Sequence, residues 1–428
     1  MTAQRLFIII GLCAAMLFTF ATPPFQVPDE VGHFWRAVTI ARGAILPRIE
    51  RAGGVAQLEQ GLSTIVFVFW VAPPTPNYKV TWPRFRTSWY VRLEPEHRAT
   101  VTFPAGYTPV AYLPQIAAAL LTRIIPARPV ITFYLGRLFN ALAYIALVAF
   151  AIRITPVLQW LFAAAALLPM ALFLAASWSP DAMTIAASFV FTAALLRAPR
   201  TPREVALTAA LGACVGLCKP GYVLIALLAF AVATMRGAAR AIIIAATAAG
   251  FALAMWNASR SYAPVRPDAH VDPPAQIDCL RNNPARFAEA LAHELRVNGV
   301  DYTRQMVGRL GMLDVPLPGP VIWAEALVLL ACAWTSSVSV RVRAVAAMIS
   351  IATIGGIALA SYIGWTPPCA TNIDGLQGRY LLPIAPVMFS IIAAPLIRRE
   401  RIALIALAAV AAICNAVALY SVAARYYS

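Results

Sequence analysis

Apolar runs recur along the chain at 6–22, 107–125, 130–151, 157–176, 182–196, 204–217, 221–235, 239–256, 320–337, 343–363, 380–397 and 402–423, with polar connections between them. One helical crossing of a bilayer takes about 20 residues, so the pattern offers twelve candidate membrane helices. The first run follows Arg5 and has no small-x-small cleavage site before Pro23, so it reads as an anchored helix in preference to a signal peptide.

Composition agrees. Of the 428 residues 61% are hydrophobic and 12% charged, about half the charged fraction of ordinary soluble domains. The net charge of +16 is almost wholly arginine, since Lys79 and Lys219 are the only lysines. The arginines gather at the ends of apolar runs instead of forming one basic stripe, which fits a bilayer and argues against a nucleic-acid partner.

Charge also sets an expected topology. Short connections carrying Arg153, then Arg197, Arg200 and Arg203, then Arg236 and Arg240, then Arg341 and Arg343, then Arg398, Arg399 and Arg401 are expected in the cytoplasm. Ser177–Asp181, Cys218–Tyr222, 257–319 and Trp365–Arg379 are expected to face outward. For both sets to hold, one run before Arg153 must not cross. The run 107–125, broken by Pro109 and Pro114, is the candidate for an in-plane or re-entrant helix, leaving about eleven crossings; twelve is the alternative. The expectation is an all-α polytopic membrane protein of one domain, 1–428, with long extracytoplasmic loops at 23–129 and 257–319 and in-plane helices in the first.

The most informative segment is the exit from the first run, Pro23 to Ala37. Pro28 suits a first helical turn, so a helix is expected from there to about Arg42. Asp29, His33 and Arg36 would share one face of it, while Val31, Phe34, Trp35 and Val38 would rest on the membrane interface. Asp29 and Glu30 at a helix N-terminus are favoured as ionised carboxylates and are candidates for a general base; capping is the plainer alternative.

Other chemistry has little support. His33, His97, His270 and His293 show no metal-type pairing, and there is no Gly-rich phosphate loop or nucleophile elbow. Cys214 and Cys218 read as packing. Cys279 and Cys369 fall in outer segments, where a disulfide is an open alternative. Glu325 stands inside an apolar run, but its depth allows it simply to reach the interface.

Pro28-Asp29-Glu30 with His33, Trp35 and Arg36 resembles the signature of a bacterial family of predicted membrane proteins, domain of unknown function 2142. Further matches follow in order at Tyr107–Gln115, Arg137–Asn140, Leu168–Met170, Ser179–Ala182, Lys219-Pro220, Gly311–Pro318 and Gln377–Tyr380. That layout is similar to GT-C glycosyltransferases, in particular the lipid A aminoarabinose transferases and protein mannosyltransferases.

The resemblance implies an inverting transferase that takes a sugar from a polyprenyl-phosphate donor to an extracytoplasmic glycan or glycolipid acceptor in the bacterial inner membrane. Asp29 would be the base, with Glu30 its substitute. Lys219, Arg379 and Arg137 would bind the donor phosphate; His33, Arg36, Tyr107, Asp181, Gln377 and Tyr380 would bind substrate. No metal ligands are assigned, although GT-C enzymes include metal-dependent types and a divalent metal stays open. The rivals are a transporter or flippase for lipid-linked saccharides and a non-catalytic member of an assembly complex. Polar groups gathered at one face, instead of near the midplane, favour surface chemistry over alternating access.

Overall fold

A computed structural model describes residues 1–46, 48–50, 53–69, 78–125, 127–261, 271–397 and 400–427. His270, Arg398 and Arg399 lie outside the described residues.

Five helices are long and apolar enough to cross a membrane: α1 (Ala3–Ala21), α6 (Pro129–Ile154), α12 (Gly237–Ser261), α16 (Val340–Trp365) and α18 (Glu400–Tyr426). The chain is a multi-pass membrane protein, but the described residues do not form eleven full-length apolar helices. The other runs are cut short for local reasons. Run 157–176 breaks into α7 (Gln159–Leu167) and α8 (Pro169–Ala175), because Pro169 lacks an N–H and pushes Leu168 to extended ψ 135°. Runs 182–196 and 204–217 become α9 (Asp181–Arg197) and α10 (Pro202–Cys218), each of 17 residues. Run 221–235 becomes a 3-10 helix, Pro220–Leu227, and the single turn α11 (Leu228–Ala231). Run 320–337 forms the 15-residue α15 (Gly319–Ala333). Run 380–397 opens as a 3-10 helix, Gly378–Ile384, with Pro383 inside it, before α17 (Ala385–Ser390).

The core is central. Every residue from Trp160 to Ala193 is buried, so α7, α8 and α9 are sheathed by other helices; a helix apolar all round is an interior element. Chain direction then separates two ends of the bundle. Arg153 and Arg197 close α6 and α9, and Arg203 opens α10, whereas Asp181 opens α9 and Cys218 closes α10 at the opposite end.

The first long loop is not purely helical. Besides α2 (Glu30–Ala41), α3 (Gln60–Phe69), α4 (Trp82–Tyr90) and α5 (Leu113–Ile124), it holds an antiparallel sheet of β1 (Arg48–Glu50), β2 (Gly53–Glu59) and β3 (Arg98–Phe103) in the order β1-β2-β3. Val55 pairs with Thr102 and Gln57 with Thr100. Alternation along β3 buries Val101 and Phe103, and these join Phe34, Ala37, Val38 and Ala41 of α2 in one cluster. The apolar face of α2 therefore packs on protein, correcting the expectation that it rests on a membrane surface. At 12 residues each, α2 and α5 are about 18 Å long, short of a bilayer core.

Residues 257–319 are also more than a loop: α13 (Pro273–Asn282) and α14 (Ala285–Gly308) lead into a two-stranded hairpin, β4 (Arg309–Leu310) and β5 (Val315–Pro316). The segment carries Arg260, Arg266, Arg281, Arg286, Arg296, Arg304 and Arg309, so arginine counting, which holds for short connections, does not orient it. Cys279 of α13 is disulfide-bonded to Cys369, with Cα atoms 5.8 Å apart.

Candidate functional site

The site begins where α1 ends. Arg137, on α6, has a fully buried guanidinium that donates to both oxygens of Glu30, through Nε at 2.9 Å and Nη2 at 2.7 Å. It also donates to the carbonyls of Thr19, Thr22 and Pro23, at and just beyond the end of α1, where helix carbonyls lack intrahelical partners. Glu30 Oε1 accepts a further hydrogen bond from the Trp178 amide at 3.1 Å. All the charge and most of the hydrogen-bonding capacity of both groups is thereby used internally. Of the two partners open to Arg137, a carboxylate or a phosphate, the structure supplies the carboxylate, and Glu30, named as the substitute base, is buried as its partner.

The same lock turns Asp29 outward. Asp29 is the N-cap of α2 with φ 62°, a left-handed conformation that Asp tolerates better than most residues. The helix thus starts at Glu30, two residues after Pro28. The Asp29 side chain is 60% exposed, and its Oδ2 lies 3.1 Å from Arg379 Nη2.

Arg379 extends the contact into a chain of charges. Its Nη1 is 3.7 Å from Asp181 Oδ2, and Asp181 Oδ1 is 3.2 Å from Lys219 Nζ. The Lys219 ammonium sits 4.2 Å from the centre of the Tyr380 ring, and the Arg379 guanidinium 5.7 Å from it. Four segments thus meet: the start of α2, the start of α9, the end of α10 and the Gly378–Ile384 helix. Nε and Nη1 of buried Arg379 make no hydrogen bond among the described residues, although Nη1 is within ion-pair range of Asp181.

Packing explains the convergence. Asn140 Nδ2 donates to the carbonyls of Ser177 and Ser179, and Gln115 Nε2 to those of Trp178 and Ser179, holding the turn that leads into Asp181. A side chain at Gly136 would meet the Trp178 ring at 2.0 Å, so that turn can approach α6 only over glycine. At Gly378 a Cβ would lie 1.9 Å from the Tyr302 carbonyl, and its amide is held by Gln305 Oε1 at 2.9 Å, which seats Arg379 against α14. Tyr222 donates to the Tyr380 carbonyl at 2.8 Å.

His33 forms the floor. Its Nδ1 shares a hydrogen bond of 2.7 Å with the Tyr112 hydroxyl, and its ring lies edge-on to Tyr107 at 5.5 Å. Burial lowers its pKa to about 4, outweighing the nearby carboxylates of Asp29 and Asp181, so the imidazole is neutral at pH 7. Burial also pushes the Tyr112 phenol well above its ordinary value.

Lys219 and Tyr107 line a groove of about 500 Å³ whose other walls include Ala254 and Ala258 of α12 and Ala360 and Gly364 of α16. A polar head with two cations therefore adjoins an apolar trench between membrane helices.

Not every expected residue is here. Arg36 is fully buried, donates to the carbonyls of Ile45 and Tyr107 and lies 5.9 Å from the centre of the Phe103 ring, so it supports the Tyr107 segment from behind. Gln377 lines a smaller cavity of about 140 Å³ with Leu295 and Tyr302, which Tyr380 of the cluster also borders. Glu325 lies in the α15–α18 region, beside Cys332 and Cys414, apart from this cluster. Tyr112 and Tyr222 were not singled out by sequence, and Tyr222 could have been suspected from its place three residues after Lys219.

The chain matches the model of the family described as predicted membrane protein (DUF2142) over residues 12–388. It belongs to that family. The match spans every residue of the cluster just described. No curated protein and no solved structure matches the DUF2142 chain.

Proposed function

We propose that this DUF2142 protein is an inverting glycosyltransferase that moves a sugar from a polyprenyl-phosphate donor to an acceptor hydroxyl outside the cytoplasm. One observation carries the reading: an exposed carboxylate, Asp29, pairs with Arg379, and Asp181 links that arginine to Lys219, which lines an apolar groove between helices.

On this reading the donor phosphate engages Lys219 and Arg379 in competition with Asp181, while the hydrocarbon lies along α12 and α16. The acceptor oxygen attacks the anomeric carbon as the bond from that carbon to the phosphate oxygen breaks. The electron pair leaves with the phosphate, and the proton passes to Asp29 Oδ. Arg379 and Lys219 lower the barrier because charge grows on the phosphate during bond breaking. Neutral His33 and the Tyr107 ring would face the sugar. A divalent metal fits the donor set poorly: Asp29 and Asp181 are each held by a cation, and the described residues gather no group of three His, Cys, Asp or Glu suited to one.

The one-sided placement of the charges supports transfer over alternating-access transport. The inner membrane and the outward orientation of the cluster are part of the proposal, supported by the arginines at the opposite helix ends and by the disulfide, which forms in oxidising compartments. The test is mass spectrometry of lipid copurifying with the protein, followed by single-turnover reaction with that lipid. A phosphate-linked polyprenyl sugar that is consumed supports the reading; sugar carried across vesicles without bond cleavage would replace it with transport.

A further inference from the structure

We infer that the protein carries a separate binding site for an anionic phospholipid, formed by α4 against the neighbouring ends of α1 and α6. A groove of about 610 Å³ runs between these helices, lined by Phe20, Phe85, Val130, Tyr134, Leu135 and Leu138, with Arg86 at its edge. It shares no lining residue with the groove at Lys219.

Three observations select a lipid with a phosphate head. First, the walls belong to the spanning helices α1 and α6, so the trench opens to where hydrocarbon chains are; Phe20 on its rim is 58% exposed. Second, α4 presents exposed Trp82, Trp89 and Tyr90, side chains that settle at the headgroup level because one end is apolar and the other polar. Third, the charge is one-sided: from Tyr78 to Leu93 the chain has Lys79, Arg84, Arg86 and Arg92 and no acid. Arg84 donates to the Val68 carbonyl, and Arg128 donates to the Trp89 carbonyl and stacks 4.8 Å from that ring's centre. Arg86 makes no ion pair among the described residues and borders the groove, so it is the group placed to take a phosphate oxygen. A zwitterionic headgroup would bring its own cation into this field and gain less.

The test uses the full chain in nanodiscs containing phosphatidylglycerol or phosphatidylcholine probes, each with the same photoreactive group on the acyl chain. We expect the phosphatidylglycerol probe to label peptides spanning Trp82–Tyr90 and Val130–Leu138 about fivefold more than the phosphatidylcholine probe. In Arg86→Gln the preference should disappear while labelling elsewhere is unchanged. Equal labelling by the two probes, label concentrated outside these peptides, or a preference that survives Arg86→Gln would overturn the inference. If Arg86→Gln does not fold, competition on the wild-type protein decides: unlabelled phosphatidylglycerol must suppress the signal and phosphatidylcholine must not. A protein–protein crosslink through α4 in place of lipid label would assign the groove to a second copy and also overturn it.

Discussion

Asp29 and Glu30 are adjacent in the chain and opposite in environment: the Asp29 carboxylate is 60% exposed beside Arg379, while the Glu30 carboxylate is fully buried against Arg137. The left-handed turn at Asp29 separates them. One acid faces outward because the other fixes the turn.

The buried member should therefore act on stability. Glu30→Gln leaves the Arg137 guanidinium without its counter-charge in a closed site, a change that typically costs about 3–5 kcal/mol. A thermal melt in detergent should fall sharply for Glu30→Gln, whereas Asp29→Asn, at an exposed position, should melt within about 0.5 kcal/mol of the parent.

Removing either cation should weaken donor use. On the proposed function each would supply a charge-assisted contact of about 1.5–3 kcal/mol to the donor, so Lys219→Ala and Arg379→Ala should each lower kcat/KM by about 10- to 100-fold. Arg379→Lys should recover only part, since lysine lacks the Nε and Nη1 geometry. Steady-state kinetics against donor concentration checks both.

His33 makes stability depend on pH. Its folded pKa is about 4, against about 6.5 in an unfolded chain. Between those values the unfolded state binds the proton and the folded state does not, so stability is full above about 6.5 and declines as pH falls toward 4, by up to about 3 kcal/mol. Melts from pH 7.5 to 4.5 should show this slope, and His33→Gln should flatten it.

Five of the seven cysteines are free and two are joined. Thiol titration of unfolded, unreduced protein should find five thiols, and reduction should expose Cys279 and Cys369. Because the bond ties α13 to the segment leading to Arg379, the Cys369→Ser variant should lose stability as well as the bond.

Much of the site was legible because its chemistry is local to short motifs. Lys219, Arg379 and Asp181 stood out as isolated charges at the ends of apolar runs, and an isolated charge there needs a partner. What the sequence withheld was the pairing. Arg137 needed an anion, but its distance of 107 residues from Glu30 hid which one. Arg36 shares the helix of His33, yet the β2–β3 sheet that buries it forms between segments 43 residues apart, and its period-2 alternation was masked by surrounding helical signals. The expected run boundaries differ from the helices where Pro169 and Pro383 divide stretches that composition reads as continuous.

The central claim is that Asp29 accepts a proton at a site completed by Arg379. The most direct measurement is single-turnover sugar transfer by folded Asp29→Asn, using the lipid-phosphate sugar that copurifies with the parent. The account predicts a loss of about 10²- to 10⁴-fold with an unchanged melt; transfer at the parental rate would contradict it.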